Sequence, residues 1–532
     1  MKSYRLYIGG SDVAGVSRVH SLSNQVMLDD FFTAVKLKRR LDRGGTPEPG
    51  DPVLASCDVA GPEQVDAATR AASEAAPGWA RFPLEHRLQL VARFHDELGR
   101  RGREFIALLT GEGHPRRFAE IELAGVSAAC SPSAVDFYRQ QMLQEIATPD
   151  RMLRLVRKPD GVVALNPPQN AAAINSTVGV GVLAAGNGMV LRPPQSSPAS
   201  TFFLFREIVA PILDELGAPP GTLNIICSPS ALTMRSWIGS PLINDIFYFG
   251  DSVRGLTLAQ ECLVTGTKAI LELAGNDGVV VWRDADPERA ATALSESFIG
   301  SGQLCLAPKF AIVHPAIADE VIGHLLTRAA EMRPTLADDP AAWLSPVLKS
   351  DRYFEFLNEA VQAGAALLTG GHRCDVSGDL DEAGVFIEPT VLRVDGLELA
   401  ARLRAVREET FFPLLPVVVP AAGGDDEELL TTVIGLLNAN QYGLRNSLWS
   451  TSNAVIERFC TEVVTGGLLK INDSHVGTVA PLAAHGGTGL SGGPFGGANF
   501  PMLSTTHAQG ISIGRGVDPR EALFGTRREA LV

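Results

Sequence analysis

The sequence predicts an α/β protein with two domains, each built on a mainly parallel sheet. Between residues 161 and 271, short apolar runs alternate with stretches of helical length, and this alternation is typical of βαβ units. A second region with the same alternation runs from residue 279 to about residue 471. With 532 residues, the chain is also too long to fold around one compact core. These observations together set the predicted fold class.

In the first region, the spacing of apolar residues places the individual elements. Strands are predicted at residues 161–165, 189–191, 223–226, 245–249 and 269–271. Helices are predicted at residues 171–185, 252–264 and, with an amphipathic pattern, 202–216. Residues 62–138 have a helical pattern as well. Residues 22–52 form an insert, in which an amphipathic stretch at 29–41 precedes a loop rich in Gly and Pro.

The second region follows the same rules. Residues 315–332 are predicted to form a helix, and the apolar run at 415–419 is predicted to form a strand. Residues 486–497 are rich in glycine, which favours a loop. A second α/β domain is therefore expected.

The composition excludes several classes of function. The formal charge is −14, whereas phosphate binding needs clustered Lys and Arg, so neither nucleic acid nor a membrane is expected as a partner. The seven cysteines are scattered and form no CxxC pair, which argues against a disulfide framework and a metal site. No apolar run approaches the roughly 18 residues that span a bilayer, and residues 1–10 lack the apolar core of a signal peptide. We therefore expect a cytoplasmic protein.

Three polar residues lie where open α/β sheets carry their chemistry. Cys305 lies in a Gly-rich turn, where a substrate can approach the backbone and the Cys305 amide can face an oxyanion. Glu272 ends a buried strand and is a candidate general base, and Asn170 follows another strand. Taken singly, each has an ordinary structural explanation, since a lone cysteine is usually a small buried apolar residue.

Six short motifs follow one another along the chain. Their order favours a catalytic role for these three residues over a purely structural one. They are Gly161-Val162-Val163 with Asn170 after it, Gly-Asn-Gly-Met-Val-Leu-Arg-Pro at 186–193, Glu-Leu-Ala-Gly at 272–275, Gly-Gln-x-Cys at 302–305, Glu-Glu-x-Phe-x-Pro at 408–413 and Pro-Phe-Gly-Gly at 494–497. With these motifs the chain resembles the aldehyde dehydrogenase superfamily over residues 161–497, and more weakly from residue 62.

The resemblance implies a reaction and a role for each residue. Cys305 would attack an aldehyde as a thiolate, while the Asn170 side chain and the Cys305 amide hold the oxyanion. Hydride transfer to NAD(P) would leave a thioester, which water activated by Glu272 would hydrolyse to the carboxylic acid. Glu409 resembles the residue that binds the nicotinamide ribose, and Phe411 resembles the one that packs near the ring.

The resemblance also implies an architecture. A Rossmann-type cofactor domain would comprise residues 1–138 and 160–275, with the insert at 22–52. The catalytic domain would comprise residues 276–480. Residues 139–159 and 503–516 would form a small β oligomerisation arm, since both segments alternate as edge strands do. A homodimer or homotetramer is expected, with a small aldehyde as the substrate.

The cofactor site departs from the family pattern. The adenosine-ribose lysine is replaced by Arg192 and the nearby glutamate by Gln195, which removes a carboxylate that would repel a 2′-phosphate and favours NADP slightly over NAD. The Phe-Thr-Gly-Ser turn of the family reads Tyr-Phe-Gly-Asp and ends in Gly250 and Asp251, with its later glycine at Gly255. Asp251 either faces the pyrophosphate or caps the helix that begins at Ser252.

Two alternative functions remain open at this point. The first is a CoA-acylating dehydrogenase or thioester reductase, although such relatives generally lack the deacylating glutamate that is present here as Glu272. The second is a non-catalytic binding protein on the same fold. It draws support from the departures at Arg192, Gln195, Asp251, Ala274 and Phe412.

Other noticeable residues are assigned to packing or to the surface. Gly179 and Gly181 look like part of a dinucleotide fingerprint but lie inside a predicted helix, so close packing is preferred. Surface or loop positions are predicted for His475 and His485, and a structural strand-edge position for His507. Packing positions in the core are predicted for Trp237, Trp282, Cys227 and Cys262. The small Ala171 and the apolar Leu304 and Leu306 suggest a roomy apolar tunnel.

Overall fold

The computed structural model describes residues 1–516 except 348, 483–485, 495 and 497–499. His485 and two residues of the predicted Pro-Phe-Gly-Gly motif, Phe495 and Gly497, therefore lie outside the described residues.

The chain begins with short strands and a group of long helices. In chain order these are β1 (Lys2–Tyr4), β2 (Leu6–Ile8), β3 (Ser11–Val13), β4 (Ser17–Leu22), α1 (Asn24–Asp29), α2 (Phe31–Asp42), β5 (Val53–Val59), α3 (Pro62–Ala80), α4 (Leu84–Gly111), α5 (Arg116–Ala129) and α6 (Pro132–Met142). The insert at 22–52 thus contains two helices, and α2 buries Ala34 and Leu41.

The next elements build the first large sheet. They are β6 (Leu143–Ala147), β7 (Arg151–Pro159), β8 (Val162–Asn166), α7 (Ala172–Ser176), α8 (Val178–Ala185), β9 (Gly188–Leu191), α9 (Ala199–Phe202), α10 (Ala210–Glu215), β10 (Leu223–Ile225), α11 (Ser230–Ile238), β11 (Asp245–Phe249), α12 (Ser252–Thr265) and β12 (Lys268–Glu272). The five predicted strands of this region are all present.

The second large sheet and the end of the chain follow. They comprise β13 (Asp277–Val281), α13 (Pro287–Ser295), β14 (Pro308–Val313), α14 (Ala318–Glu331), α15 (Ser350–Gln362), β15 (Ala366–Thr369), β16 (Arg373–Cys374), β17 (Phe386–Ile387), β18 (Thr390–Asp395), α16 (Leu397–Ala400), α17 (Arg404–Arg407), β19 (Leu414–Val419), α18 (Asp426–Asn438), β20 (Tyr442–Gly443), β21 (Arg445–Trp449), α19 (Asn453–Glu462), β22 (Leu468–Ile471), β23 (Thr488–Gly489), α20 (Pro501–Ser504) and β24 (Thr506–Gly514).

Both large sheets are mainly parallel, which confirms the predicted fold class. The first has the strand order β12-β11-β8-β9-β10-β2-β3, and its first five strands run parallel. From β8 the chain continues to β9 on one side and later reaches β11 on the other side. This reversal opens a crevice at the carboxyl ends of β8 and β11, where α/β sheets bind ligands. The second sheet has the order β15-β18-β19-β14-β13-β21-β22, with β15 antiparallel.

Residues 202–216 were predicted to form one amphipathic helix, and the structure differs from this prediction. The backbone over Phe203–Val209 is π-helical, between the short helices α9 and α10. The side chains of residues 202–205 are all fully buried, so the segment has no solvent-facing side in its first turn. The predicted helix at 171–185 is likewise divided, at Thr177, into α7 and α8.

Several packing predictions are confirmed. A Cβ atom on Gly179 would lie 2.8 Å from the Met189 sulfur, so this glycine lets α8 approach the sheet closely. Trp237, Trp282, Cys227 and Cys262 are all buried.

A three-stranded antiparallel sheet projects from the first large sheet. Its order is β24-β7-β6. Four of its apolar side chains are more than 40% exposed: Leu143, Ile146, Leu155 and Ile513. In the described part of the chain, no helix is both long and apolar enough to cross a membrane.

The junction between this sheet and the first large sheet contains two neighbouring carboxyl groups, the half-buried Asp160 and the buried Asp245. Asp160 accepts a hydrogen bond from the His507 Nδ1 atom at 2.8 Å and also binds Lys268. Asp245 is 1% exposed, and its carboxyl lies 3.5 Å from the Lys268 amine. Burial raises the pKa of Asp245 to about 8, and the neighbouring Asp160 adds to this rise. Despite its own burial, Asp160 has a lowered pKa because Lys268 and His507 stabilise its charged form.

We predict that Asp245→Asn stabilises the protein increasingly as the pH rises. Because the pKa of Asp245 is raised in the folded state, the unfolded chain ionises this carboxyl between about pH 4 and pH 8 while the folded chain keeps it protonated, so the wild type alone loses stability as the pH rises through this range. The melting temperature of the variant should therefore exceed that of the wild type by roughly 2 °C at pH 8 and by less at pH 5. The exposed Asp351→Asn is the control, and a difference independent of pH would contradict the prediction.

Candidate active site

The turn before Cys305 has an unusual backbone. Gly300, Ser301 and Gly302 have φ angles of 58°, 56° and 68° in succession. A Cβ atom on Gly302 would lie 2.5 Å from the carbonyl oxygen of Phe412, so only glycine fits there. The Gly-rich turn seen in the sequence is thus a left-handed turn that directs the chain to Cys305.

A segment that sequence reasoning missed holds this turn in place. We name residues 342–346 the support segment. Its Trp343 carbonyl accepts a hydrogen bond from the Gly300 amide at 2.8 Å. The Ser301 hydroxyl donates to the Ser345 carbonyl at 2.6 Å, and the Ser345 amide donates back to that hydroxyl at 3.0 Å. These bonds stabilise the positive φ of Ser301, which costs a residue with a side chain about 1–2 kcal/mol.

Cys305 and Glu272 are neighbours in space. The Cys305 Sγ atom lies 3.8 Å from the Glu272 Oε1 atom. Glu272 ends β12 and is 2% exposed. Its Oε2 atom accepts a hydrogen bond from the amide of Gly486. Gly486 is the first residue of the Gly-rich loop at 486–497. This contact to Glu272 therefore comes from the start of the loop and not from the Pro-Phe-Gly-Gly motif at its end.

Asn170 lies against the same turn. It follows β8, and its Nδ2 atom donates a hydrogen bond to the carbonyl of Gln303 at 2.9 Å. Gln303 is fixed in turn by its own side chain, which donates to the Pro346 carbonyl at 2.9 Å. The structure thus brings the three predicted catalytic residues together: Asn170 follows β8, Glu272 ends β12 and Cys305 precedes β14.

The surroundings of Cys305 favour the neutral thiol. Burial raises the pKa of the Cys305 thiol well above its usual value, and the charges of Glu272 and Glu409 raise it further. Lys309 acts in the opposite direction. A base must therefore take the proton before the sulfur can act as a nucleophile.

Glu409 and Phe411 lie close to the turn that carries Cys305, through Gly275 and Lys309 respectively. The Glu409 Oε1 atom accepts a hydrogen bond from the Gly275 amide at 2.9 Å, and burial raises the pKa of this carboxyl. Gly275 is required there, because a Cβ atom would lie 1.9 Å from the Cys305 carbonyl oxygen. Sequence reasoning missed Lys309, whose amine donates to the Gly302 carbonyl at 2.8 Å and lies 5.6 Å from the centre of the Phe411 ring.

The turn at Gly250 and Asp251 opens helix α12 at the edge of the crevice. Asp251 caps this helix, because its side chain accepts a hydrogen bond from the Arg254 amide at 3.0 Å. The capping alternative of the sequence analysis is therefore observed. Gly255 packs directly against Leu273, since a Cβ atom on Gly255 would lie 2.2 Å from the leucine side chain. The glycine therefore lets α12 pack closely against the chain that follows β12.

Arg192 faces into the protein. It is 5% exposed, and its Nε atom donates to the Asn166 side chain at 2.6 Å. Its Nη1 atom donates to the Ser228 carbonyl at 3.0 Å. Burial lowers the pKa of this guanidinium. Gln195, three residues after Arg192 in the sequence, is half-buried.

Of the two positions predicted for His475, the loop is observed and the surface is wrong, because His475 lies outside the helices and strands but is fully buried. Its ring binds the Ser447 hydroxyl at 2.6 Å and the Asp277 carboxylate at 3.4 Å. The Arg445 Nη1 atom donates to the His475 carbonyl at 2.8 Å. Each partner is distant in sequence, so the local pattern around His475 carried no sign of the network. The next residue, Val476, packs in one apolar cluster with Leu304, which precedes Cys305.

Comparison with known proteins identifies the family to which the chain belongs. The profile of the aldehyde dehydrogenase family matches residues 46–503. The chain is 29% identical over 364 residues to (Z)-2-((N-methylformamido)methylene)-5-hydroxybutyrolactone dehydrogenase of Acinetobacter baylyi, covering 67% of this chain and 70% of the relative. It is 27% identical to both 3-sulfolactaldehyde dehydrogenase and benzaldehyde dehydrogenase (NAD+) of Pseudomonas putida, covering 88% of this chain and 93% and 94% of theirs.

Solved structures share the fold. An NAD-dependent aldehyde dehydrogenase from Sinorhizobium meliloti superposes with a TM-score of 0.79 at 22% identity, over 97% of this chain and 96% of the other. An NADP-dependent enzyme of E. coli gives 0.78 at 21% identity, over 97% and 98%. Because the family profile covers most of the chain, the protein belongs to the aldehyde dehydrogenase family and is an NAD(P)-dependent enzyme of that family.

Proposed function

We propose that this enzyme oxidises an aldehyde to a free carboxylic acid through a thioester on Cys305. The observation that carries the proposal is the 3.8 Å contact between the Cys305 sulfur and the Glu272 carboxylate. One carboxylate at this position serves two purposes. It takes the proton from a thiol whose pKa is raised, and it later activates the water that hydrolyses the thioester.

The first step adds the Cys305 sulfur to the aldehyde carbon. Glu272 accepts the thiol proton, a carbon–sulfur bond forms, and the carbonyl oxygen becomes an oxyanion. The Asn170 amide has two hydrogens, one of which binds the Gln303 carbonyl. The other, together with the Cys305 backbone N–H, would stabilise the oxyanion. Loss of one such donor typically lowers the rate about 10²–10³-fold.

The crevice fits a nicotinamide cofactor. The amino end of the 14-residue helix α12 opens beside the carboxyl ends of β8 and β11, where a pyrophosphate would meet backbone N–H groups. Glu409 and Phe411 would hold the nicotinamide ribose and ring, and Gln195, Gly250 and Asp251 would lie on the adenosine and pyrophosphate side. Arg192 would support this side from within the protein, through Asn166 and the Ser228 carbonyl, and Gly255 would let α12 lie close to it. NAD(P)+, when bound, accepts the hydride from the carbon attached to Cys305.

The last step releases the acid. Glu272 first releases the thiol proton to solvent and then takes a proton from water, whose oxygen attacks the thioester carbon. The carbon–sulfur bond breaks, and Glu272 returns this second proton to the Cys305 sulfur. In total, aldehyde, water and NAD(P)+ give carboxylic acid, NAD(P)H and a proton. The Gly486 amide, bound to the other oxygen of Glu272, keeps the carboxylate directed at the sulfur.

Two other functions receive less support. A CoA-acylating dehydrogenase needs no water-activating carboxylate, yet Glu272 lies beside the sulfur. A non-catalytic protein has no physical need for a left-handed turn, a buried carboxylate and an amide converging on one cysteine. The names of the relatives include both anionic and aromatic aldehydes, and they do not identify the substrate.

The first prediction tests the hydrolytic reaction. The wild-type enzyme should form NAD(P)H from an aldehyde without CoA. Glu272→Gln should lower kcat about 10²–10⁴-fold. Because loss of the Glu272 charge lowers the pKa of Cys305, the thiol can still lose its proton to solvent, so the thioester should form and accumulate. Intact-protein mass spectrometry would detect it as an acyl adduct that is lost in Cys305→Ala. Strict dependence on CoA would overturn the proposal.

The same variant provides a second readout. Because the Glu272 charge raises the pKa of Cys305, Glu272→Gln should make Cys305 react faster with iodoacetamide at pH 7.5. The exposed Cys460 is the internal control, and its labelling rate should not change.

The second prediction concerns the cofactor. We propose that the enzyme uses NADP at least as well as NAD, because Gln195 carries no charge to repel a 2′-phosphate. Gln195→Glu should lower kcat/KM for NADP about tenfold relative to NAD. Gln195→Met is the uncharged control. If wild-type kcat/KM for NAD exceeds that for NADP severalfold, the proposed preference is wrong.

The third prediction concerns assembly. We propose that the projecting sheet β24-β7-β6 is an oligomerisation arm of a homodimer or homotetramer, since it exposes Ile146 and Leu155. The double variant Ile146→Asp with Leu155→Asp should be smaller in solution by light scattering, whereas Phe31→Asp in α2 should not be. An unchanged mass of the double variant, or a monomeric wild type, would contradict the arm.

A further inference from the structure

Lys309 occupies an unusual place in the second large sheet. It lies in β14, a strand whose residues are all buried, and is itself 1% exposed. Asp277 of β13 pairs with Pro308 of β14. The next pair joins Gly278 to Phe310, so Lys309 is an extra residue in its strand. Such a β-bulge redirects a side chain, and bulges are frequent next to active sites.

The Lys309 side chain reaches the catalytic turn. Its amine donates a hydrogen bond at 2.8 Å to the carbonyl of Gly302, which lies three residues before Cys305. The amine also lies 5.6 Å from the centre of the Phe411 ring, within the range of cation–π attraction. Contacts with two different segments thus hold the ammonium against the turn.

The charges around this amine favour its protonated form. Burial lowers the pKa of Lys309, because an ammonium loses its hydration inside a protein. The carboxylates of Glu409 and Asp277 act in the opposite direction and raise the pKa. A buried cation without partners is costly, so these carboxylates and the Gly302 carbonyl stabilise a charged lysine at this position.

The charges around Cys305 act on its thiol. Burial raises the pKa of the thiol most, and three carboxylates raise it further: Glu272, Glu409 and Asp277. Two buried cations, Lys309 and Arg445, favour the thiolate instead. Lys309 is bonded to the turn that carries the sulfur, whereas Arg445 donates to the His475 carbonyl.

The charge distribution changes when the nucleophile forms. In the proposed reaction Glu272 takes the thiol proton, so this carboxylate becomes neutral and the negative charge appears on the Cys305 sulfur. The carboxylates of Glu409 and Asp277 keep their charges and oppose this change. A cation held beside the turn offsets their effect at the moment when the sulfur becomes charged.

We propose that Lys309 is a positioning residue for Cys305: the Gly302 carbonyl holds its ammonium beside the turn, where the positive charge stabilises the thiolate. The inference rests on the proposed aldehyde oxidation and adds to it a residue outside the six sequence motifs.

The experiment measures the alkylation of Cys305 by iodoacetamide from about pH 6 to pH 9, with the exposed Cys460 as the internal control. A nearby opposite charge shifts a pKa by about one to three units, so Lys309→Met should slow the alkylation of Cys305 about tenfold or more at each pH. Lys309→Gln, whose amide can still donate to a carbonyl, should slow it as well. Lys309→Arg keeps the charge and should stay within about threefold of the wild type.

Two further variants separate charge from structure. Lys470 is also a buried lysine that donates to backbone carbonyls, those of Ser474 and Gly477. Lys470→Met is therefore the matched control and should leave the alkylation of Cys305 unchanged. The double variant Glu272→Gln with Lys309→Met loses charges of opposite sign, so its alkylation rate should return toward that of the wild type, which a displaced turn would not allow.

Three results would overturn the inference: an unchanged rate in Lys309→Met or Lys309→Gln, an equal loss of rate in Lys309→Arg or Lys470→Met, or a double variant as slow as Lys309→Met. Lys309→Gln provides the test if Lys309→Met does not fold. Alkylation requires no aldehyde, so its outcome is independent of the proposed reaction. Slow alkylation of Lys309→Met in a protein that oxidises no aldehyde would support the role of Lys309 and contradict the reaction, whereas unchanged alkylation in an active enzyme would do the reverse.

Discussion

The left-handed turn formed by Gly300, Ser301 and Gly302 is the constraint on which the site depends. Three successive residues with positive φ are held by backbone and hydroxyl bonds to the support segment. Contacts on the other sides leave little freedom: Phe412 lies against Gly302, and Gly275 lies against the Cys305 carbonyl. Since Asn170 also binds the Gln303 carbonyl, the turn aligns the amide, the sulfur and the carboxylate together.

Electrostatics around the turn keep the sulfur protonated until a base acts. Cys305 lies among the carboxylates of Glu272 and Glu409, and the nearby Lys309 donates its hydrogen bond to Gly302 rather than to the sulfur. A resting thiol of raised pKa resists alkylation and oxidation. In the proposed reaction, Glu272 therefore takes part in both formation and hydrolysis of the thioester.

Features that are encoded by local sequence patterns could be predicted from the sequence. The five strands of the first sheet are continuous apolar runs because both of their faces are buried, and their positions follow from those runs alone. Asn170, Glu272 and Cys305 could be grouped because each lies in a short motif and the motifs keep a fixed order.

Features that depend on partners distant in sequence could not be predicted. The residues around His475 are those of an ordinary loop histidine, and only the fold brings Asp277, 198 residues earlier in the chain, to its ring. The support segment acts mainly through backbone carbonyls, which any sequence supplies. Gly486 and the Pro-Phe-Gly-Gly motif lie in one Gly-rich loop, and residue types alone do not tell which glycine reaches Glu272. At 202–216, a helical apolar pattern does not distinguish an exposed helix from one buried by its neighbours.

The support segment joins the turn that carries Cys305 to the apolar packing beside it. The Trp343 carbonyl binds the Gly300 amide, and the Trp343 side chain packs in an apolar cluster with Leu304, Leu306 and Val476. Val476 follows His475, which is held in the buried network with Asp277 and Arg445. The apolar residues on both sides of Cys305 therefore rest on the same contacts as the turn itself, so the position of the sulfur and the packing around it depend on one framework.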